Sequence, residues 1–259
     1  MKTNYHTHTY RCGHARGSDE QYVQAAIDAG LELVGFSDHM PIPKSVETYD
    51  RMTLEEFPYY LKSINNLKEK YQEQIEVLAG LECEWIAHDV PFLENLRNKC
   101  DYLILGNHER MIPSKQYDYT YYADDEAIEL YCLESEAALN TGLFAFFAHP
   151  EYFMFGRRCF NDKCRWAAHF LAQICADLAI PMEINVNGFT RSHYIEGKWQ
   201  PPYPFPEFWQ IVSEYPVKII YSFDAHRPIH MHRNDLIEAV NEHLGNLSFD
   251  IIERISVGK

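Results

Sequence analysis

Basic charge is scarce in this sequence: 23 Lys and Arg stand against 38 Asp and Glu, a formal balance of −15. No run of Lys or Arg forms a stripe, so nucleic acid is not an expected partner, because binding its backbone needs clustered cations. Paired cysteines are missing too. The seven cysteines are odd in number and none is spaced Cys-x-x-Cys, which speaks against a disulfide framework and for reduced thiols. The opening "MKTNYHTHTY" has no apolar leader core, and no apolar run approaches the length that spans a bilayer. The expectation is a cytoplasmic protein without a membrane partner. Gly/Ser-rich linkers, low-complexity tracts and internal repeats are also absent. Residues 1–259 are therefore read as a single domain, and 46% hydrophobic content suffices for one large core.

What the sequence does hold is a regular alternation. Apolar, β-branched runs recur around Asn4 to His6, from Leu31 ("LELVGFSDH"), from Ile75 ("IEVLAGLECEW") and from Asp101 ("DYLILGNHE"). Three more begin at Leu143 ("LFAFFAHPE"), Ile180 ("IPMEINVNG") and Val217 ("VKIIYSFDAH"). Between them, helical spacing covers Asp19–Ala29, Thr53–Tyr71, Asp124–Asn140, Asp162–Leu178 and Arg233–His243. Ser18 or Asp19, Thr53, Asp124 and Asn161 or Asp162 supply short polar caps. Continuous apolar strands alternating with helices predict an α/β fold with a buried parallel sheet, and repetition along the whole chain favours a barrel. Ser114–Ala123 and Arg191–Pro206 read as long loops.

Barrel active sites are built at the C-terminal ends of the strands, so the ends of these runs are informative. They close on His6 and His8, Asp38 and His39, Glu82 and Glu84, His108, His149, Asn185 and Asn187, and Asp224 and His226. A single strand-end histidine is usually a hydrogen-bonded residue. Six of seven runs ending in His, Glu or Asp point instead to a shared metal centre. Imidazole and carboxylate donors suit Zn, Mn or Fe, and sequence does not choose among them.

These residues resemble the polymerase and histidinol phosphatase (PHP) superfamily. The motifs are "HTHT" at His6, "GHA" at His14, "SDH" at His39, "GLE" at Glu82, "GNH" at His108, "AHP" at His149 and "FDAH" at Asp224. Their order and spacing are similar to the histidinol-phosphate phosphatase branch. The resemblance implies a distorted (β/α)7 barrel of the PHP type with three divalent metal ions. It implies that His6, His8, Glu82 and Asp224 hold one ion, that Glu82, His108 and His149 hold a second, and that His14, His39 and His226 hold the third. Glu82 would bridge, and Cys12 would not be a ligand.

The activity so implied is hydrolysis of a small phosphorylated substrate, L-histidinol phosphate by preference, to the alcohol and inorganic phosphate. Asp38 and Asp224 are the expected catalytic groups, acting with a metal-bound hydroxide; Asp38 either orients a ligand, the preferred role, or protonates the leaving alcohol. Arg157, Arg158 and Arg191, on loops after the fifth and sixth runs, are the candidate phosphate-binding residues, since guanidinium matches phosphate oxygens. Alternatives are a PHP phosphoesterase acting on a nucleotide, an oligonucleotide end or a phosphotyrosine protein; an amidohydrolase-like hydrolase, which "DYLILGNHE" opposes by lacking the lysine usual on that class's fourth strand; and a non-catalytic metal-binding module. His230 and His232 in "HRPIHMHR" read as a solvated loop, and Cys159, Cys164 and His169 as an incomplete zinc set. The aromatic stretch Trp199–Trp209 fits either a lid or packing, and no oligomeric state is implied.

Overall fold

The computed structural model describes residues 1–42, 50–86, 89–110 and 117–257. Helices and strands alternate through most of the chain: β1 (Thr3–Asn4), α1 (Asp19–Asp28), β2 (Leu33–Phe36), α2 (Phe57–Tyr71), β3 (Glu76–Cys83), α3 (Val90–Arg97) and β4 (Tyr102–Leu105). A short antiparallel pair, β5 (Glu109–Arg110) and β6 (Tyr117–Asp118), precedes α4 (Asp125–Leu139) and α5 (Asp162–Leu178). Then follow β7 (Met182–Asn185), α6 (Val186–Phe189), the hairpin β8 (His193–Ile195) and β9 (Lys198–Gln200), α7 (Pro206–Val212), β10 (Lys218–Ser222), α8 (Asn234–His243) and β11 (Asp250–Ile251). Among the described residues, no helix is long and apolar enough to cross a membrane.

The helices start where short polar side chains satisfy the free amides of the first turn. Ser18 and Gln21 form a reciprocal capping box on α1, Asp124 accepts from the Ala127 amide, and Asn161 accepts from those of Lys163 and Cys164. Thr53 exchanges bonds with Glu56, and α2 proper begins one residue later, at Phe57. Its buried stripe of Phe57, Tyr60, Ile64, Leu67 and Tyr71 follows the helical period.

Parallel pairing runs β1-β2-β3-β4 in one sheet and β11-β10-β7 in another. Single parallel bridges join them into a ring: Leu105 to Phe147, Phe147 to Met182, and Thr7 to Ala225. The fifth apolar run is thus a barrel stave without being a regular strand. Its backbone bonds to both neighbours, with Ala145 N–H on Leu103 O at 2.8 Å and Phe147 N–H on Pro181 O at 2.9 Å. Pro181 contributes no N–H to that ladder, and Pro150 cuts the run short. The expected Arg191–Pro206 loop contains the β8–β9 hairpin, and the start of Ser114–Ala123, residues 114–116, lies outside the described residues. Trp209, Phe208 and Phe205 are buried, so that end of the aromatic stretch is packing.

Inside the ring a small core of Tyr5, Leu33, Leu78, Tyr102, Ile104, Phe146, Ala148 and Ile220 fills the barrel. A larger core lies between staves and helices. Tyr102 spans the interior, its hydroxyl within bonding reach of Tyr5 O at 2.5 Å and Phe36 O at 3.0 Å. A Cβ at Gly80 would lie 2.5 Å from the Tyr102 ring, so only glycine fits beneath it. Gly80→Ala is expected to cost about 1–3 kcal/mol through overpacking, read as a lower denaturant midpoint with an unchanged m-value. An unchanged midpoint would show that Tyr102 moves freely.

Candidate metal centre

Directly above this packed layer, the ends of the staves carry the polar residues. His6 and His8 alternate on the extended exit of β1, Asp38 and His39 follow β2, Glu82 ends β3 on its inner face, and Asp224 and His226 follow β10. Backbone geometry there is unusual. Asn107, His149 and Asp224 have φ of 42°, 30° and 45°, a left-handed conformation that non-glycine residues adopt rarely and that collects at functional sites.

Glu82 is the hub. Its Oε1 lies 2.8 Å from His149 Nε2 and 3.3 Å from His108 Nε2; its Oε2 lies 3.2 Å from His8 Nε2, 3.3 Å from His6 Nε2 and 3.2 Å from His39 Nδ1. Asp224 Oδ1 is 3.2 Å from His8 Nε2 and 3.6 Å from His6 Nε2. His6 and His8 bring their Nε2 atoms to 3.1 Å, and His14 and His226 theirs to 3.0 Å. Yet Glu82 Oε2 and Asp224 Oδ1 are buried without a hydrogen-bond partner. Buried carboxylate oxygens that face several imidazole nitrogens out of hydrogen-bonding alignment suit a cation between them.

Ligand atoms gather within 4.8 Å of one another in the sets His6, His8, Asp224; His8, His39, Glu82; and Glu82, His108, His149. Glu82 belongs to two of them, the position of a bridging ligand. His39 groups here with His8 and Glu82, while its ring lies 5.9 Å from that of His14. Cys12 also comes near His8 and His226. Burial pushes its thiol up to about 12 and its sulfur accepts the Ala15 amide, which suits a small packed side chain rather than a thiolate donor.

Two carboxylates back the imidazoles from behind. Glu183 Oε1 lies 2.7 Å from His6 Nδ1, and its Oε2 accepts the His149 amide at 2.8 Å; Glu84 Oε1 lies 2.7 Å from His108 Nδ1. Such partners fix the ring and free the opposite nitrogen for a metal. Glu183 is not among the candidates that the strand ends select, although a carboxylate inside the apolar "IPMEINVNG" is a usable signal. Asp38 lies behind His8: it accepts from Thr9 N at 2.7 Å and Thr9 Oγ1 at 2.5 Å, and does not line the cavity described below. That geometry corresponds to orienting, not to protonating a leaving group.

Charges reinforce this picture. Burial works against protonation of His8, yet the adjacent negative charges of Asp224 and Glu82 push its pKa up to about 9; burial likewise opposes charge on His108, and Glu82 and Glu84 raise it to about 9. Burial, with His8 nearby, holds His39 well below the ordinary value, and burial lowers His226 to about 3. Protons would therefore compete with a metal ion for the ring nitrogens of the candidate ligands His8 and His108 below about pH 9. Apparent affinity of the metal-free protein for Zn²⁺ is expected to rise with pH up to about 9 and then level, as read by chelator competition. A flat profile would show that no ligand proton is displaced.

A cavity of about 290 Å³ opens over the cluster, lined below by every histidine of the cluster except His6, with Glu82 and Asp224, and around it by Tyr152, Phe155, Arg191 and Tyr203. Arg191 is therefore at the site, but Arg157 and Arg158 are not. Arg157 binds Asp125 at 2.5 Å and Ala123 O at 3.0 Å, and with Arg158 it lines a separate surface hollow. The acidic first turn of α4 draws it outward. His230 is not a loosely solvated loop residue: Pro228–His232 forms a 3-10 turn, where His230 Nδ1 meets the His226 amide at 3.2 Å and Nε2 meets Arg233 at 2.9 Å. Arg233 in turn donates to Asn187 Oδ1 at 3.1 Å, and Asn187 Nδ2 donates to Asp224 at 3.2 Å. His169 pairs with the Tyr215 hydroxyl at 2.8 Å, away from the cluster.

The PHP domain family matches residues 4–187. A probable histidinol-phosphatase of Deinococcus radiodurans is 28% identical over 235 residues, 86% of this chain and 85% of that protein. The histidinol-phosphatase of Bacillus subtilis is 32% identical over 95 residues, 34% of this chain and 35% of that one. Among solved structures, histidinol phosphate phosphatase from Lactococcus lactis, complexed with zinc, L-histidinol and phosphate, superposes with a TM-score of 0.70 at 18% identity, covering 98% of this chain and 97% of that one.

Proposed function

Because this chain belongs to the PHP domain family, we propose that it is a metal-dependent phosphatase that hydrolyses L-histidinol phosphate to L-histidinol and phosphate. The observation that carries the reading is the Glu82-centred cluster, whose orphaned carboxylate oxygens and converging imidazoles lie open to a cavity of substrate size. The histidinol-phosphatase relative aligned over most of both chains supplies the substrate. Three divalent ions, Zn, Mn or Fe, would be held by His6, His8 and Asp224, by His108 and His149, and by His14, His39 and His226, with Glu82 shared between the first two. When bound, they supply an acidified water and neutralise phosphoryl charge.

The chain's own residues do the rest. Glu183 and Glu84 keep the His6 and His108 rings turned inward, and Asn187, braced by Arg233, fixes Asp224. Arg191 stands on the cavity wall to donate to phosphoryl oxygens of the bound ester and to hold them while its P–O bond breaks. The acidic surface disfavours the nucleic-acid alternative. Purified protein assayed on histidinol phosphate, nucleotides and a phosphotyrosine peptide is expected to release phosphate fastest from the first, to stop on chelation, and to recover with Zn, Mn or Fe. Faster turnover of a nucleotide or peptide would replace this substrate; activity indifferent to exhaustive chelation would remove the metals.

Arg191→Ala is expected to raise KM about tenfold or more with metal content unchanged, and to weaken inhibition by inorganic phosphate. Unchanged KM and phosphate inhibition would leave Arg191 without a part in binding.

A further inference from the structure

The cavity carries chemistry that phosphate cleavage leaves unused. Tyr152, Phe155 and Tyr203 line it together. Their rings form one continuous wall beside the cluster: Tyr152 stands edge-on to His108 at 4.6 Å, Phe155 lies 5.1 Å from Tyr152 and 5.3 Å from Tyr203, and Tyr203 lies 5.6 Å from His149. The Tyr152 hydroxyl is taken by Thr120 Oγ1 at 2.9 Å, so its ring is what it offers.

The wall is rigid. Tyr203 rests so closely on Gly188 that a Cβ there would come within 2.0 Å of its ring, and the neighbouring Phe205 N–H and Trp209 Nε1–H are both anchored on Glu151 Oε1, at 3.2 and 2.5 Å. Phe155 is the half-buried member, with the ring of His193, which does not line the cavity, edge-on at 4.5 Å.

The lining is also divided by charge. Among the described residues that line the cavity, Arg191 is the only Lys or Arg, whereas Asp50, Glu109 and Asp118 all line it. Arg51 meets Asp50 at 3.1 Å and Glu109 at 3.0 Å. The floor, when loaded with the proposed divalent ions, and Arg191 suit an anion; the aromatic wall and the Asp118 side suit a flat ring that can carry positive charge.

We propose that Phe155, backed by Tyr152 and Tyr203, determines specificity by stacking on a planar heteroaromatic ring in the alcohol half of the phosphate ester. This rests on the reading that the substrate is histidinol phosphate, whose imidazole is such a ring. A preorganised aromatic face loses little on binding, so the selectivity arises at the wall rather than from metal chemistry, which treats all monoesters alike.

The test compares kcat/KM of the metal-loaded protein for histidinol phosphate and for 2-aminoethyl phosphate, which keeps the amine and lacks the ring. The parent should prefer the ring-bearing ester. Phe155→Leu should lower that preference about tenfold, mainly through KM for histidinol phosphate, and Phe155→Tyr should restore it. Thermal melting checks folding, and Phe155→Met serves if the leucine variant is unfolded. A preference unchanged in the folded variant, or absent from the parent, overturns the proposal while histidinol-phosphate hydrolysis stands. A parent that cleaves 2-aminoethyl phosphate and not histidinol phosphate overturns the functional reading itself, and the proposal with it.

Discussion

Glu82→Gln is expected to lower kcat by at least the roughly 10²–10³-fold that loss of one preorganised group costs at an active site, and to reduce the metal content of the purified protein. The substitution keeps the shape and removes the charge. Five imidazole nitrogens lie within 3.3 Å of the two Glu82 oxygens, so one carboxylate serves both sides of the cluster. The amide would replace one acceptor with an N–H pointed at the same nitrogens and leave His6, His8 and His108 with less negative charge nearby. Because binding to the folded state stabilises it, the variant should also lose most of the rise in thermal midpoint that the parent shows when metal is added. Elemental analysis, kcat and melting curves with and without Zn²⁺ read these effects. A variant with full metal content and parental kcat would remove Glu82 from the centre of the mechanism.

Glu183→Gln should weaken metal binding about 10- to 100-fold, the usual effect of losing a partner behind a ligand. Glu183 touches no cavity surface; it lies fully buried and receives His6 Nδ1, the His149 amide, Asn185 Nδ2 at 3.0 Å and the Ser222 hydroxyl. Every partner is a donor, so a glutamine NH₂ would face donors. Two candidate ligands, His6 and His149, would then lose their orientation together. Excess metal should restore much of the activity, which distinguishes a positioning group from a destroyed fold. Glu183→Asp, which keeps the charge on a shorter stem, should fall between the two. Parental affinity in Glu183→Gln would mean that packing alone fixes these rings.

Both residues illustrate how far the sequence was legible. Glu82 was readable because it closes an apolar run, and the parallel pairing of β1, β2, β3 and β4 follows from runs buried on both faces. α5, Asp162–Leu178, also has the limits that its asparagine cap and apolar period predict. Glu183 escaped because strand-end logic looks past a charge inside a strand, whose partners come from His6 and Ser222, far away in sequence. Arg157 and Arg158 were placed over the cluster by loop position alone. The direction of the Arg157 side chain depends instead on Asp125, which no local pattern ties to that loop. The fifth stave was overread as a strand because hydrophobicity registers burial, while ladder regularity depends on Pro181 in its neighbour.

Because the bridge between Thr7 and Ala225, with His8 N–H on Ala225 O at 2.9 Å and Ala225 N–H on His6 O at 3.1 Å, joins the two ends of the chain, this centre is expected to be a late product of folding. Glu82, His108 and His149 can meet once the middle of the chain is in place, but His6 and His8 reach Asp224 only when the last stave docks beside the first. Contacts of such sequence separation close slowly, because loop entropy is lost before they form. During synthesis the earliest histidines emerge and wait for a carboxylate made near the end, so a chain arrested before Val217 would hold a half-built centre. Ions held as proposed by residues of both ends would act as a clasp on the finished barrel, and their removal should loosen its first and last staves before its middle, visible as early amide exchange at Thr7 and Ala225.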